Sequence, residues 1–196
     1  MAAKGEKDFS GLKAIIVTLL FLVVFFVIIG RLNGERKEER SKELKTEIEQ
    51  LMSYDMYGNY PRTPRDVAKL HNRYFELFYG NALSEEELTT LNQKVRWLYS
   101  SELLMYNSED TNLQMLKDNI AAVNEAGYEY RSCELPEASQ VVYYTQDGVE
   151  MATLEVKIVF GVEKGMEYMY MKYVMVKEND QWKIHVWGRS ETMDAE

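Results

Sequence analysis

Three dipeptides govern what the last third of this chain can fold into: Asp147-Gly148, Lys164-Gly165 and Asn179-Asp180. Each divides two runs rich in Val, Ile, Tyr, Phe and Met, and a two-residue break between such runs marks a β-hairpin. Taken as the central pair of a tight turn, each dipeptide sets a register. The first places Val141 opposite Leu154 and Tyr143 opposite Ala152. The second places Ile158 opposite Met171 and Val156 opposite Tyr173. The third places Met175 opposite Ile184 and Tyr173 opposite Val186. All three agree on one buried face: Val141, Tyr143, Leu154, Val156, Ile158, Phe160, Met169, Met171, Tyr173, Met175, Ile184 and Val186. A slip of one residue would turn a whole strand over, so the agreement is itself an argument for an antiparallel sheet with one covered face.

Upstream the period is helical. Thr63, Pro64 and Asp66 read as the cap and first turn of a helix whose apolar stripe is Val67, Leu70, Tyr74, Leu77 and Phe78, ending at Gly80. "SEEE" from Ser84 opens a second helix with the stripe Leu88, Leu91, Val95 and Leu98. "SSELLMYN" is a short turn or helix. A further helix from about Glu109 carries Leu113, Leu116, Ile120 and Val123, and Gly127 reads as its left-handed stop. "YEYRSCEL" then reads as an edge strand. Helices followed by a meander of strands give an α+β domain, with helices packed on one face of a twisted antiparallel sheet.

The amino-terminal region obeys different rules. Ala14 to Ile29 is apolar apart from the Thr18 hydroxyl. At 1.5 Å per residue, residues 12–32 would extend ~31 Å, enough for a hydrocarbon core if Lys13 and Arg31 reach the interfaces. No small-x-small cleavage site follows, so an uncleaved single-pass anchor fits better than an export signal. Lys4, Lys7 and Lys13 precede the segment, whereas Arg31, Arg36, Lys37, Arg40, Lys42 and Lys45 follow it. That count alone favours a cytosolic carboxyl side. The short head before a first apolar segment, and a long following domain, favour the outside. The expectation is a cell-membrane protein with its domain outside, and a cytosol-facing membrane tether is the alternative. The expected divisions are a tail at 1–11, the anchor at 12–32, a charged helical stalk and linker at 33–59, the α+β domain at 60–190 and a tail at 191–196.

Charge and cysteine narrow the function classes. The first thirty residues hold three of the 23 basic and two of the 32 acidic side chains, leaving 20 against 30 beyond them. A domain with a balance of −10 repels phosphate backbones, so nucleic acid is not an expected partner. With Cys133 alone, no intrachain disulfide can form. Two histidines and one cysteine show no zinc-ligand spacing, and no phosphate loop or nucleophile elbow is present. No cofactor is expected.

The order of helices and meander, closing on the strand "W-K-I-x-x-W" (Trp182, Lys183, Ile184, Trp187), resembles the nuclear-transport-factor-2-like, or cystatin-like, cone fold. "YPRTPRDVAKLHNRYFELFYG" together with the apolar segment also resembles a functionally unassigned family of small membrane-anchored proteins of Gram-positive bacteria. The likeness covers roughly Tyr60 to Trp187. Enzymes of the cone fold carry an Asp/His pair or similar in the cone pocket. No such pair is matched here residue by residue, so no activity carries over.

Two regions are candidate sites. Tyr74, Tyr143 and Tyr173, with His71 at the stripe edge, would line a pocket between helices and sheet for a small-molecule sensor or enzyme, although ordinary core packing accounts for the same residues. Val159, Tyr170, Lys172, Val174, His185 and Trp187 share the outer sheet face, with Lys172 opposite Trp187 for a cation–π contact. An aromatic and aliphatic cluster on an open face fits a homodimer or an envelope-protein partner, against the plainer reading of a solvated sheet face. The leading expectation is a membrane-anchored, non-catalytic binding or assembly domain at the cell surface.

Overall fold

The structure is a computed structural model and describes residues 41–80 and 83–190. The chain divides into two compact units, Met1–Glu47 and Ile48–Glu196. In the first, the described residues 41–47 are helical; the expected anchor at 12–32 lies outside the described residues. Among the described residues, no helix is long and apolar enough to cross a membrane.

The second unit begins with helical residues 48–52, which bury Ile48 and Leu51, followed by a turn that buries Met56. Helix α1 (Pro64–Gly80) starts as its sequence dictates. Thr63 Oγ1 accepts from the Asp66 amide at 3.1 Å and donates to the Asp66 carboxylate at 2.7 Å. All five residues of its expected stripe are buried. Helix α2 (Glu85–Val95) opens with a full capping box between Ser84 and Glu87. A single 3-10 turn, Arg96–Leu98, then leads into a strand-like step, where the Ser100 amide donates to the Ile184 carbonyl at 2.9 Å. Two exposed helices follow, α3 (Ser101–Tyr106) and α4 (Glu109–Glu125), neither of which buries a residue fully. Gly127 closes α4 at φ +72°.

The sheet comprises β1 (Glu129–Glu134), β2 (Val142–Gln146), β3 (Val149–Val162), β4 (Gly165–Glu178) and β5 (Gln181–Arg189). The order is β1-β3-β4-β5, all antiparallel, and β2 shares the outer edge of β3 with β1. The Asp147-Gly148 and Asn179-Asp180 turns have both central residues at positive φ, and the Tyr143–Ala152 and Met175–Ile184 pairs form as expected.

Three expectations need correction. The β3–β4 turn is Glu163-Lys164, with Val162 opposite Gly165. Ile158 therefore faces Met169 and Val156 faces Met171, and it is Leu154 that faces Tyr173. The shift is two residues, an even number, so both faces survive. Tyr143 keeps its register but lies on an edge strand with every residue exposed, and is itself 56% exposed. The third correction comes from bulges. Met175 pairs with Ile184 but Val174 pairs with Val186, so His185 is an extra residue in β5. Beyond it the parity reverses: Tyr173 faces Trp187 instead of Val186, Val186 is exposed, and Lys172 faces Gly188 instead of Trp187. A second bulge at Arg131 lets neighbours Val159 and Phe160 both be buried, which takes Val159 off the open face.

Candidate functional site

Helix α1 presents His71 and Asn72 side by side to the middle of β4. Asn72 Nδ2 donates to the Ala68 carbonyl at 2.8 Å and to the Tyr173 hydroxyl at 3.2 Å; that hydroxyl lies 2.9 Å from His71 Nδ1. The Ala68 bond fixes which end of the Asn72 amide is nitrogen. The Tyr173 oxygen, accepting from Asn72, has one proton to give, and it goes to His71 Nδ1. The imidazole proton then sits on Nε2. Burial lowers the His71 pKa to about 3, so the ring is neutral at ordinary pH.

His71 is also one wall of a cavity of about 260 Å³. The rings of Trp187 and Tyr99 stack at 5.0 Å and 30°, and Trp187 meets His71 edge-on at 5.1 Å. Phe75, Phe78 and Tyr79 from α1 add aromatic wall, and Leu103, Met115 and Leu116 close it from α3 and α4. Among the lining residues there is no carboxylate, lysine, arginine or cysteine. The polar side chains of the lining are uncharged: the amides of Asn92, Asn107, Asn112 and Asn119, together with Tyr79, Tyr99, Trp187 and neutral His71. Asn107 Nδ2 donates to the Leu103 carbonyl at 3.1 Å. Asn92 is only 2% exposed, yet its Nδ2 has no hydrogen-bond partner among the described residues, and neither does Asn112 Oδ1. Buried polar atoms without partners are rare in native proteins and call for a cause.

The cavity roof is held by polar ties. Glu178 accepts from the Ser101 amide at 3.1 Å and its hydroxyl at 2.8 Å, pinning the start of α3. Gln93 donates to Glu109 at 2.6 Å, and Lys117 pairs with Glu85, linking α4 to α2.

A family model described as "Domain of unknown function (DUF6715)" matches residues 1–187. The chain belongs to the DUF6715 family. No curated protein matches it. Among solved structures, TraH from the Gram-positive conjugative plasmid pIP501 overlaps at 11% identity, covering 69% of this chain and 99% of that one, with a TM-score of 0.39. The intermembrane space region of the chloroplast protein ARC6 overlaps at 15% identity, covering 66% and 98%, with a TM-score of 0.29. At these scores neither overlap carries an argument about fold or function.

Of the four pocket candidates in this DUF6715 chain, only His71 lines the cavity. Tyr173 stands behind it as the group that orients His71. Tyr74 is fully buried, donating to the Leu51 carbonyl at 3.2 Å, and Tyr143 lies outside against Trp182, ring centroids 5.7 Å apart. The outer-face candidates disperse as well. Trp187 lines the cavity, Val159 is buried, and half-buried His185 has Nδ1 3.4 Å from the Ser100 hydroxyl and 4.0 Å from the Glu102 carboxylate. Tyr170 and Lys172 remain on the outer face, where they line a shallow groove with Glu134, Glu155 and Lys157. Half-buried Val174 pairs with Val186. The sequence reading missed the asparagines. Asn92 was visible: it interrupts the stripe Leu88, Leu91, Val95 of α2 at a position where an apolar residue is expected. On α4 the cavity takes Asn112, Met115, Leu116 and Asn119, so of the expected stripe only Leu116 lines it.

Proposed function

We propose that this chain is a non-catalytic binding domain, held at the membrane by residues 12–32, that takes a small uncharged molecule in the cavity between α1, α2, α4 and β5. The observation that carries the reading is the cavity itself: about 260 Å³, walled by the rings of Trp187, Tyr99 and Phe75, with polar but uncharged side chains in its lining. Sites of this kind are mostly apolar with a few placed polar groups. Binding is favoured over catalysis because neutral amides move no protons, and a histidine with a pKa near 3 is a poor base at neutral pH. The cone-fold resemblance supports the same placement, between helices and sheet. The outer sheet face, as a homodimer or envelope-protein surface, rests on Tyr170, Lys172 and Val174 without the tryptophan.

Ligand-observed NMR with a panel of uncharged aromatic and amide fragments, on the full chain in detergent, tests the cavity. Fragments should bind the native protein and not Leu116→Trp, which fills the space. If no fragment binds, or Leu116→Trp binds equally, the cavity is not the site. Location is tested separately with Cys133→Ser carrying a new cysteine by Ser41→Cys. Labelling of intact cells by a membrane-impermeant thiol reagent supports the outside placement; labelling only after lysis overturns it in favour of a cytosolic tether.

A further inference from the structure

We propose that the free edge of β2 is where two copies of this chain join, pairing β2 with β2 antiparallel about a two-fold axis at Tyr144. The observations that carry this are independent of the cavity.

The sheet has three strands to which a further strand could add, and they are not equally guarded. Native proteins blunt free strand edges with charges, bulges, proline or a covering segment. β1 carries Glu129, Arg131 and Glu134, with a bulge at Arg131. β5 is met at its middle by the segment after the 3-10 turn: Tyr99 bridges Ile184, and the Ser100 amide donates to the Ile184 carbonyl at 2.9 Å. β2 has none of these guards. Its sequence is VYYTQ, its pairing with β3 runs without a shift, and among the described residues it pairs with β3 alone. All five of its residues are exposed.

The turn geometry fixes which backbone groups of β2 are free. Asp147-Gly148 is a two-residue turn with both central residues at positive φ, so its flanking pair, Gln146 and Val149, is of the hydrogen-bonded kind. The kinds alternate from there. Val142, Tyr144 and Gln146 therefore turn their N–H and C=O groups towards β3, and Tyr143 and Thr145 turn theirs outwards. A second β2 with Tyr144 opposite Tyr144 sets Tyr143 of each copy against Thr145 of the other. All the outward groups of Tyr143 and Thr145 are then paired. The two Tyr144 rings meet at a non-hydrogen-bonded position, where opposite side chains approach most closely, and aromatic cross-strand pairs are favourable.

Charge argues that the occupant is a second copy. The chain carries a net −9, so two copies repel each other over most of their surface. Residues 138–146 hold no charged side chain, and in this register Asp147 falls opposite Val141 instead of another acid. Glu150, opposite Thr145 on β3, is paired with Lys177 at 2.7 Å. The edge is neutral and complementary to itself. The pairing also closes, since each copy uses its β2 edge once and no third copy can add there.

The test uses the full chain in density-matched detergent. Sedimentation equilibrium should show a monomer–dimer equilibrium, and Tyr144→Lys, which sets like charges opposite each other, should weaken it by about tenfold or more. Cross-linking locates the contact, because the anchor or another surface could also hold two copies together. In a Cys133→Ser background, Tyr144→Cys should form a disulfide between copies on mild oxidation, its Cα atoms lying about 4.5 Å apart. Gln146→Cys should not, since the two positions lie four residues apart along the strands, about 14 Å. Circular dichroism confirms that each variant is folded, and if Tyr144→Lys is not, the two cysteine variants decide. A monomer at every concentration up to about 100 µM overturns the proposal. So does a dimer indifferent to Tyr144→Lys, or cross-linking that does not favour Tyr144→Cys over Gln146→Cys.

Discussion

The two halves of the helical layer face the same sheet but are built to different standards. Helix α1 buries nine of its seventeen residues. Its tyrosine hydroxyl at Tyr74 has a carbonyl partner, and its imidazole is locked to Tyr173. Helices α3 and α4 bury none fully and are tied down by exposed polar pairs such as Lys117–Glu85. Surface pairs of that kind contribute little. Stability thus resides where apolar side chains are packed, even though Asn72 Oδ1 on α1 is itself buried without a partner among the described residues. The wall that a ligand would have to pass or displace belongs to the weakly held half.

The strongest way to break this comparison is truncation in each half. Leu77→Ala, at 1% exposure on α1, should cost about 2–5 kcal/mol, the range for emptying a packed core position. Leu113→Ala, half-buried on α4, should cost no more than about 1 kcal/mol. Urea unfolding of the full chain measures both, and equal losses would show that α4 is as integral as α1.

A second probe uses pH. The His71 pKa is about 3 in the folded chain, below its ordinary 6.5, because burial disfavours the charged ring. Between those two values the unfolded chain binds the proton and the folded chain does not, so stability is fully present above pH 6.5 and falls as the pH is lowered towards 3. The neighbours facing the ring, Tyr173, Tyr99 and Trp187, carry no charge that would offset this. From roughly pH 7 to pH 5 the native protein should lose about 2 kcal/mol, and His71→Gln should be flatter over the same window. Matching slopes in both proteins would mean the ring reaches water. No comparable titrating group lines the α3–α4 side of the cavity, so the effect belongs to the packed half.

These contrasts bear on what was legible in the sequence. Helix caps at Thr63 and Ser84, the α1 stripe and the hairpin turns at Asp147 and Asn179 were readable because each is a local rule obeyed locally. The β3–β4 turn was misplaced because Gly165, with φ +141°, closes the turn instead of occupying its centre. Bulges were not readable: Val186 and Trp187 are both apolar, so the alternation looks acceptable in either parity, and only tertiary packing against His71 and Tyr99 decides. Tyr143 failed for a related reason, since a correct register says nothing about whether a helix reaches far enough to cover that end of the sheet. Asn92 was a visible anomaly in α2, but empty space beside it is not written in any periodicity.

That anomaly also supplies the finest test of the comparison. Replacing Asn92 by leucine removes an unpartnered buried amide nitrogen and continues the α2 stripe, because the two leucine methyls take the places of the amide oxygen and nitrogen. Without ligand, the variant should be more stable than the native chain by about 1 kcal/mol, the scale of an unsatisfied buried polar group. The same change made in the packed half has the opposite sign. Asn72 is as buried and its Oδ1 is likewise without a partner among the described residues, but its nitrogen bonds Ala68 and Tyr173, so Asn72→Leu breaks two bonds and should destabilise. Thermal unfolding of the two variants side by side therefore separates a buried asparagine that serves the fold from one that the fold merely tolerates. A loss of stability in both would mean that Asn92 already has its bonds filled within the protein, by ordered water, and that the cavity wall is as settled as the core.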